Sequence, residues 1–296
     1  MTKFDEIYRD VALEIINEGQ MQKGDVRPRY ADGTPAYTKY IRNVNFEIKP
    51  EDGFPILQSK RVPWKTFFKE IDWIFRQMSN DVNALEDMGV KVWSEWKQED
   101  GSIGPAYGSQ LAKKCRLIED PTRMLPTSPP QKAYKKANQV EFIIDQIKNN
   151  PRSRRIMTNL YDVDDLDKMA LEPCVFLTNW QVDDDDRLHL SMVQRSGDWS
   201  LGIPSNLVEY SLLHNRIAQI TGKELGSLYW TVLNAHIYDR HIPLLEEQVT
   251  ADISHLEETV PQLILPKSLD YFNTPLHEAE VVNYKHNGTY KYEIAI

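Results

Sequence analysis

Apolar positions recur along this chain with two periods, and the longer period predicts its helices. Over 4–18, the apolar side chains Val11, Ile15 and Ile16 follow the spacing of one helix face. Gly222 stands just past the strongest such pattern and is typical of a helix stop. The predicted helices cover residues 4–18, 64–78, 81–88, 139–149 and 206–220.

Shorter alternation predicts strands. Asp183–Asp186 is expected to turn between two of them. Residues 24–39 contain Asp32-Gly33 and two prolines, which indicates a loop. The predicted strands cover residues 40–49, 153–161, 174–183, 187–194, 228–232 and 279–294. Because strands and helices mix without a regular βαβ order, the pattern predicts an α+β fold rather than a doubly wound parallel sheet.

The chain shows no linker, so we predict one domain over residues 1–296. Residues 109–137 break the pattern, being basic and carrying the proline-rich run PTSPPQ at 126–131. This stretch is expected to be an irregular, mobile surface insertion.

Composition narrows the function. The chain has 35 Lys+Arg against 44 Asp+Glu, a net charge of −9, which argues against nucleic acid as the primary ligand. A local arginine cluster for an anionic small substrate stays possible. No apolar run is long enough to span a membrane, and the N-terminus lacks the apolar core of a signal peptide. Two cysteines cannot build a disulfide framework, so a soluble cytoplasmic protein is expected.

Several residues are candidates for chemistry. Cys174 is either a nucleophile or a small buried apolar side chain. Arg195 follows a predicted strand and could lower the pKa of a nearby thiol and bind an anion. Asn206 is either a helix N-cap or a reader of an amide-like ring edge. His236 and Tyr238 alternate and therefore face one side of a strand, although His236 could also be purely structural. No zinc-ligand spacing accompanies the histidines, so no metal is predicted.

Short motifs along nearly the whole chain resemble the thymidylate synthase family. No single motif is decisive, but their joint order and spacing are highly specific. They are Asp52-Gly53-Phe54-Pro55, Lys60-Arg61, Lys69-Glu70, Trp93-Ser94-Glu95-Trp96, Gly104-Pro105-Ala106-Tyr107-Gly108, Ser153-Arg154-Arg155, Pro173-Cys174, Gln194-Arg195-Ser196, Asp198, Leu201-Gly202, Asn206, Tyr210 and His236-Ile237-Tyr238.

The resemblance implies a three-layer α/β-type homodimer, joined through a large, mostly antiparallel or mixed sheet packed by helices. It implies one-carbon transfer from 5,10-methylenetetrahydrofolate to C5 of deoxyuridine monophosphate (dUMP), with no metal. The implied catalytic residues are Cys174 as nucleophile, Glu70, Tyr107, Asp198 and Asn206. The implied nucleotide ligands are Gln194, Arg195, Ser196, Asn206, His236 and Tyr238, one loop arginine (Arg27 or Arg29), and Arg154 and Arg155 from the partner subunit. The implied folate contacts are Lys60, Trp93, Asp198, Gly202 and Ala295.

The physical chemistry agrees with these implied roles. C5 of uracil is a poor nucleophile until a thiolate adds to C6 and turns C5 into an enolate carbon. Asn206 is donor and acceptor at once, so it can satisfy N3–H and O4 of uracil, whereas aspartate would suit cytosine better. Glu70 would manage protons through water as general acid and base.

Some positions depart from the family pattern. Asp72, Ser205 and Asn234 stand where the family has Leu, Phe and Asp; Val175 and Gln58-Ser59 also differ. Polar residues occupy the first three positions in the phage-type deoxyuridylate hydroxymethylases, which let water attack the methylene and release tetrahydrofolate. That activity is the alternative hypothesis, and a non-catalytic relative is a third.

Two observations favour the synthase. Trp93 is kept, and so is the ending Ala295-Ile296, which in synthases closes over the folate and excludes water. On an ideal helix, Glu70 and Asp72 lie about 100° to either side of Ile71. If Glu70 faces the site, Asp72 is therefore not expected to face it, and it is expected to be solvated or to lie behind the residues that contact the substrate.

Overall fold

The computed structural model describes residues 2–256 and 260–295, which build a large mixed sheet packed by helices. The helices are α1 Lys3–Glu18, α2 Trp64–Ile71, α3 Val82–Asp87, α4 Gly108–Ala112, α5 Gln139–Asn149, α6 Gly202–Thr221 and α7 Ile242–Thr250. The strands are β1 Gln20–Met21, β2 Thr38–Ile48, β3 Arg116–Leu125, β4 Gln131–Ala137, β5 Met157–Asn159, β6 Val175–Val182, β7 Arg187–Gln194, β8 Gly197–Asp198, β9 Glu224–Tyr238, β10 Gln262–Ile264 and β11 Glu280–Val282.

The central sheet has seven strands in the order β1-β2-β9-β7-β6-β5, with β8 beside β9. Strand β9 runs parallel to β7 and β8, and the other neighbours are antiparallel. The α+β fold with a mostly antiparallel sheet, expected from the sequence, is therefore confirmed. Within the described ranges, no helix is both long and apolar enough to cross a membrane.

Helix α6 covers one face of this sheet and is buried on almost all sides. Its sheet partners include Leu190, Met192, Leu228 and Trp230, whose side chains share the core face of β7 and β9. The opposite face is less covered, since Tyr229 remains 41% exposed and Leu233 40% exposed. Sheet alternation thus separates a closed core face from an open face.

The predicted helices are confirmed, with changes at two ends. Helix α6 begins at Gly202, four residues before its predicted start. In the predicted helix 64–78, the regular helix α2 ends at Ile71, and the chain continues as a π-helical turn, Asp72–Arg76. There Asp72 accepts hydrogen bonds from the side chains of Arg76 and Gln77, which stabilises the change of pitch.

The prediction that Asp72 does not face the site together with Glu70 agrees with the structure, but a solvated Asp72 was wrong. Its carboxylate is fully buried, 2.5 Å from Nε of Arg76, and accepts a 2.6 Å hydrogen bond from the Leu276 backbone N–H. It therefore joins α2 to the segment before β11 and points away from Glu70, which binds Trp93 instead. Asp72 is a structural ion-pair partner.

Other predictions need correction. The stretch 109–137 is not irregular, because it holds most of α4 and the hairpin β3–β4, in which Lys132 pairs with Glu119 across the strands. The strand predicted at 153–161 shrinks to β5. The strand predicted at 279–294 shrinks to β11, since the tyrosines after it pack singly instead of alternating in a ladder.

Candidate active site

The sheet ladder places Cys174 beside Arg195. Cys174 precedes β6, Arg195 follows β7, and the Arg195 backbone N–H donates to the Cys174 carbonyl at 2.8 Å. The Arg195 guanidinium reaches back to the carbonyls of Glu172 at 2.7 Å and Pro173 at 3.1 Å. Both the backbone and the guanidinium of Arg195 therefore hold the loop that carries the thiol.

The Cys174 thiol is half-buried and faces two cations. Burial raises its pKa, and the positive charges of Arg195 and Arg27 counter that rise. Both free cysteines are described, and the second, Cys115, is exposed. The surroundings thus distinguish Cys174 as the thiol whose ionised form is stabilised by arginine.

Tyr107 links the thiol to an aromatic cluster. Its hydroxyl accepts a 3.2 Å hydrogen bond from the Cys174 backbone N–H, and its ring centroid lies 5.1 Å from that of Trp93. Burial raises its pKa far above the ordinary value. Its backbone has φ of 45°, and the next residue must be glycine, since a Cβ on Gly108 would come within 2.3 Å of the Ser79 carbonyl oxygen.

A pair of buried carboxyl groups lies on the far side of this cluster. Glu70, at the end of α2, accepts a 2.8 Å hydrogen bond from the Trp93 indole N–H. Glu209, on α6, contacts the Glu70 carboxyl group, and burial raises the pKa of both. Glu70 thereby occupies a dry position suited to proton transfer.

Asn206 is held by a partner at each end of its amide. Gln194 Nε2 donates to its Oδ1 at 3.1 Å, and its Nδ2 donates to Glu209 Oε2 at 3.1 Å. Gln194 is itself fixed, because it also donates to the Ser196 carbonyl and accepts from the Trp230 indole N–H. The N-cap alternative for Asn206 was wrong, because the residue lies one turn inside α6.

His236, Tyr238 and Asp198 meet where β8 pairs with β9. Asp198 is the register partner of His236, and the ring centroids of His236 and Tyr238 lie 5.5 Å apart, as their shared strand face predicts. Burial lowers the pKa of His236 and raises that of Tyr238 to about 12, so the first is a neutral imidazole and the second a neutral phenol near pH 7.

Lys60 and Gly202 border the same region. Lys60 is buried, donates to the Ser200 carbonyl and lies 5.0 Å from the Tyr292 ring centroid. Burial lowers its pKa to about 8, against the attraction of Asp198. A Cβ on Gly202 would stand 3.7 Å from Asp198 Cβ and 4.0 Å from Asn206 Oδ1, so Gly202 lies between these two side chains.

The candidate arginines separate into three groups. Arg27 lies close enough to Cys174 and Tyr238 for its charge to oppose the rise that burial causes in the pKa of both. Arg29 pairs with Asp25 at 3.4 Å instead. Arg154 and Arg155 are exposed, and among the described residues no acceptor binds their side chains.

The remaining predicted residues lie at the margins. Ser196 is half-buried after β7, and its carbonyl accepts from Gln194. Ala295 follows Glu293, whose carboxylate pairs with Arg240 at 3.1 Å. Ile296, the last residue of the predicted folate-covering ending, lies outside the described residues.

Two of the polar residues that depart from the family pattern form hydrogen bonds within the protein. Ser205 donates to the carbonyls of Leu201 and Gly202, and Asn234 Oδ1 lies 3.1 Å from His236 Nδ1. The hydroxyl proton of Ser205 is therefore taken up by helix carbonyls, and Asn234 holds His236.

Glu209 is the residue of this site that sequence reasoning missed. Its signal was available, since it is the one acidic residue of α6 and stands three positions after Asn206, on the same side of the helix. In the part of the chain that the structure describes, no group of three or more His, Cys, Asp or Glu side chains is arranged for a metal.

Comparison with known proteins adds to this geometry. The thymidylate synthase family model matches residues 6–296. The chain is 41% identical to the thymidylate synthases of Bacillus subtilis subsp. natto and of Bacillus phage phi3T, each over the full length of both proteins. The solved structure of thermostable thymidylate synthase A from Bacillus subtilis aligns with a TM-score of 0.85 at 39% identity, covering 99% of each chain.

Proposed function

This chain belongs to the thymidylate synthase family and is a one-carbon transferase of dTMP biosynthesis, and from that premise we propose that Cys174 is its nucleophile. The observation that carries the proposal is the pairing of the half-buried thiol with Arg195 and Arg27, whose charges favour the thiolate. The thiolate attacks C6 of dUMP, which makes C5 an enolate carbon able to attack an electrophilic methylene.

The same arginines bind the substrate. A nucleotide phosphate needs planar cationic donors, and Arg195 and Arg27 supply them beside the nucleophile, with Ser196 adding a hydroxyl. We assign the loop position to Arg27 rather than Arg29, because the charge of Arg27 acts on Cys174 and Tyr238, whereas Arg29 pairs with Asp25. His236 and Tyr238, both neutral near pH 7, hold the ribose hydroxyl.

Base recognition is assigned to Asn206, which Gln194 orients. With Gln194 on Oδ1 and Glu209 on Nδ2, the amide has one fixed orientation, and its remaining lone pair and N–H can face N3–H and O4 of uracil. Glu70 serves as general acid and base near the uracil carbonyl, and Tyr107 and Asp198 complete the wall around the reacting carbon.

The co-substrate is 5,10-methylenetetrahydrofolate, and the residues present fit it. A cleft beside Ser205 is lined by flat or apolar side chains, among them Phe67, Leu201 and Tyr292, with the ammonium group of Lys60 at its floor. Such a cleft suits an aromatic ring carrying an anionic tail. Trp93, Gly202, Asp198 and Ala295 are its further assigned contacts. When bound, the folate supplies the methylene carbon and the hydride that reduces it.

We also propose a homodimer through the open face of the sheet. The exposed Tyr229 and Leu233 lie on this face, and apolar side chains on a sheet are typical of an interface. Arg154 and Arg155 are free to reach a phosphate in the partner subunit. The cytoplasmic location expected from the sequence stays a prediction.

One assay tests the activity. The protein is incubated with dUMP and methylenetetrahydrofolate, and both products are identified by mass spectrometry. We expect dTMP and dihydrofolate. Hydroxymethyl-dUMP with tetrahydrofolate would replace the synthase by the hydroxymethylase, and no turnover by folded protein would favour a non-catalytic relative.

A further inference from the structure

We propose that Glu209 is a positioning residue of this site: it carries a proton shared with Glu70 and, through its other oxygen, orients the amide of Asn206. The inference rests on the proposed function for its catalytic meaning, but the proton itself can be detected without turnover.

The first step is the placement of two acids in a dry position. Glu209 is 2% exposed and Glu70 is 9% exposed, and their carboxyl groups are within hydrogen-bonding reach of each other. Among the residues that the structure describes, no lysine, arginine or histidine forms an ion pair with either group. Two carboxylates in contact without a cation repel strongly in a low-dielectric environment, so the pair retains one proton.

The neighbouring titratable groups do not change this conclusion. Tyr107 and Tyr210 face the pair from the loop before α4 and from α6, and burial raises the pKa of both phenols far above the ordinary value. Both phenols are therefore neutral near pH 7. Within the described part of the chain, no cation is among the causes that shift the pKa of Glu70 or Glu209, whereas Arg195 and Arg27 act on Cys174.

The second step locates the proton. Glu70 Oε1 accepts from the Trp93 indole N–H, which favours the ionised form of Glu70. Glu209 Oε2 accepts from Asn206 Nδ2, whereas Glu209 Oε1 is buried and has no donor if both acids are ionised. A proton on Glu209 Oε1, donated to Glu70, satisfies every one of these atoms. Burial raises the pKa of both acids, which favours the retention of this proton.

The third step is the consequence for the reaction. Glu209 Oε2 accepts from Asn206 Nδ2, which turns the amide Oδ1 towards Gln194. Loss of the shared proton would place a second negative charge beside Glu70 and remove its donor. Glu209 therefore acts on base reading through one oxygen and on the acid–base pair through the other.

The test uses Glu209→Gln, which keeps a donor for Glu70 and an acceptor for Asn206 but cannot titrate. Infrared spectroscopy of the folded protein at pH 7 should show the carbonyl stretch of a protonated carboxylic acid in the wild type and not in Glu209→Gln. Glu246→Gln, at an exposed position of α7, should keep the band. The absence of this band from the wild type, or its survival in Glu209→Gln, would overturn the assignment of the proton.

Kinetics test the positioning role. In Glu209→Gln, KM for dUMP should stay within about twofold of the wild-type value, while the alkaline limb of the kcat profile moves to higher pH. In Glu209→Leu, which can neither donate nor accept, KM should rise about 10- to 100-fold because the Asn206 amide loses one of its two partners. An alkaline limb unchanged in Glu209→Gln refutes the link to catalysis. A wild type that forms no dTMP but shows the band refutes the proposed activity alone.

Discussion

Two regions of this site differ in charge: the cationic corner, formed by Cys174, Arg195 and Arg27, and the carboxyl corner, formed by Glu70 and Glu209. They show that burial alone does not decide the charge of a group. Burial raises the pKa of Cys174 and of Glu70 alike. At Cys174, two arginines counter the effect, whereas at Glu70 the closest ionisable neighbour is another acid, Glu209. Desolvation therefore favours the neutral form of both groups, but at Cys174 arginine charges oppose it, whereas at Glu70 a second acid takes their place.

Removal of the Cys174 thiol should have the largest effect on activity. Cys174→Ser should abolish dTMP formation, because a serine hydroxyl is not ionised by these arginines. It should still bind dUMP in equilibrium dialysis, because Arg195 is held by backbone carbonyls. Cys115→Ser, at an exposed thiol, should keep full activity. Turnover by Cys174→Ser would show that another group is the nucleophile.

The carboxyl corner should respond to Glu70→Gln with a loss confined to the chemical step. We expect kcat to fall about 10²- to 10⁴-fold, the usual contribution of a general acid–base group. The binding of dUMP should change little, since no arginine loses its partner. Glu86→Gln is the control, because that carboxylate pairs with Lys97 away from the site. Steady-state kinetics with both substrates measure this, and an unchanged kcat contradicts the role.

Asn206→Asp adds a third acid to the carboxyl corner. The new side chain cannot donate to O4 of uracil, so kcat/KM for dUMP should fall about 100-fold, the cost of one buried donor left unmatched. Turnover of dCMP should rise relative to dUMP, because cytosine offers the opposite pattern. Asn215→Asp on the same helix is the control. A dUMP-to-dCMP ratio equal to that of the wild type would exclude Asn206 as the base reader.

Arg27→Ala removes one of the two cations that act on Cys174. Loss of one charged hydrogen bond to phosphate should raise KM for dUMP about tenfold or more. It should also raise the pKa of the Cys174 thiol, read from the pH dependence of its alkylation rate, because a charge that lowers this pKa is gone. Arg29→Ala, which removes a partner of Asp25, should do neither. Equal effects of the two variants would contradict the assignment of Arg27.

Lys60 offers the smallest and most general test, since it is a buried cation whose charge Asp198 offsets only in part. Its pKa is lowered from the ordinary 10.5 to about 8. Between these values the unfolded chain binds more protons than the folded one, so the free energy of unfolding should rise with pH across that window. The slope can reach about 1.4 kcal/mol per pH unit.

Urea unfolding at pH 8 and pH 10 measures this slope. Lys60→Met should flatten it, because the substitution removes the titrating group, while Lys65→Met, at an exposed position, should not. A slope that Lys60→Met leaves unchanged would assign the titration to another residue.

Local patterns predicted most of the fold because most elements bury one face. The helical spacing over 4–18 and 206–220 gave α1 and the body of α6, since the side chains on these faces do reach the core. The hairpin β3–β4 escaped because its pairing depends on contacts across strands, such as Lys132 with Glu119, and not on apolar alternation. After β11, a strand was predicted where none continues. The apolar tyrosines there do not alternate along a sheet but make separate contacts, with hydroxyl groups bonded to different parts of the chain.

The site was predictable where motif and geometry coincide. The shared face of His236 and Tyr238 follows from strand alternation, and the nearness of Cys174 and Arg195 follows from two strands that pair. Glu209 was not predicted, because an acid on a helix is ordinarily solvated and its burial depends on α2 packing against α6. The choice between Arg27 and Arg29 likewise depended on the path of a loop.

The backbone bond between Arg195 and Cys174 has an evolutionary consequence. The spacing of thiol and phosphate ligand belongs to the peptide ladder between β6 and β7, which no side-chain substitution removes. A lineage can therefore exchange Asn206, Ser205 or Glu209 one at a time while the frame that presents the nucleophile is inherited intact. Substrate preference can therefore change by substitution while the backbone that positions the nucleophile stays the same.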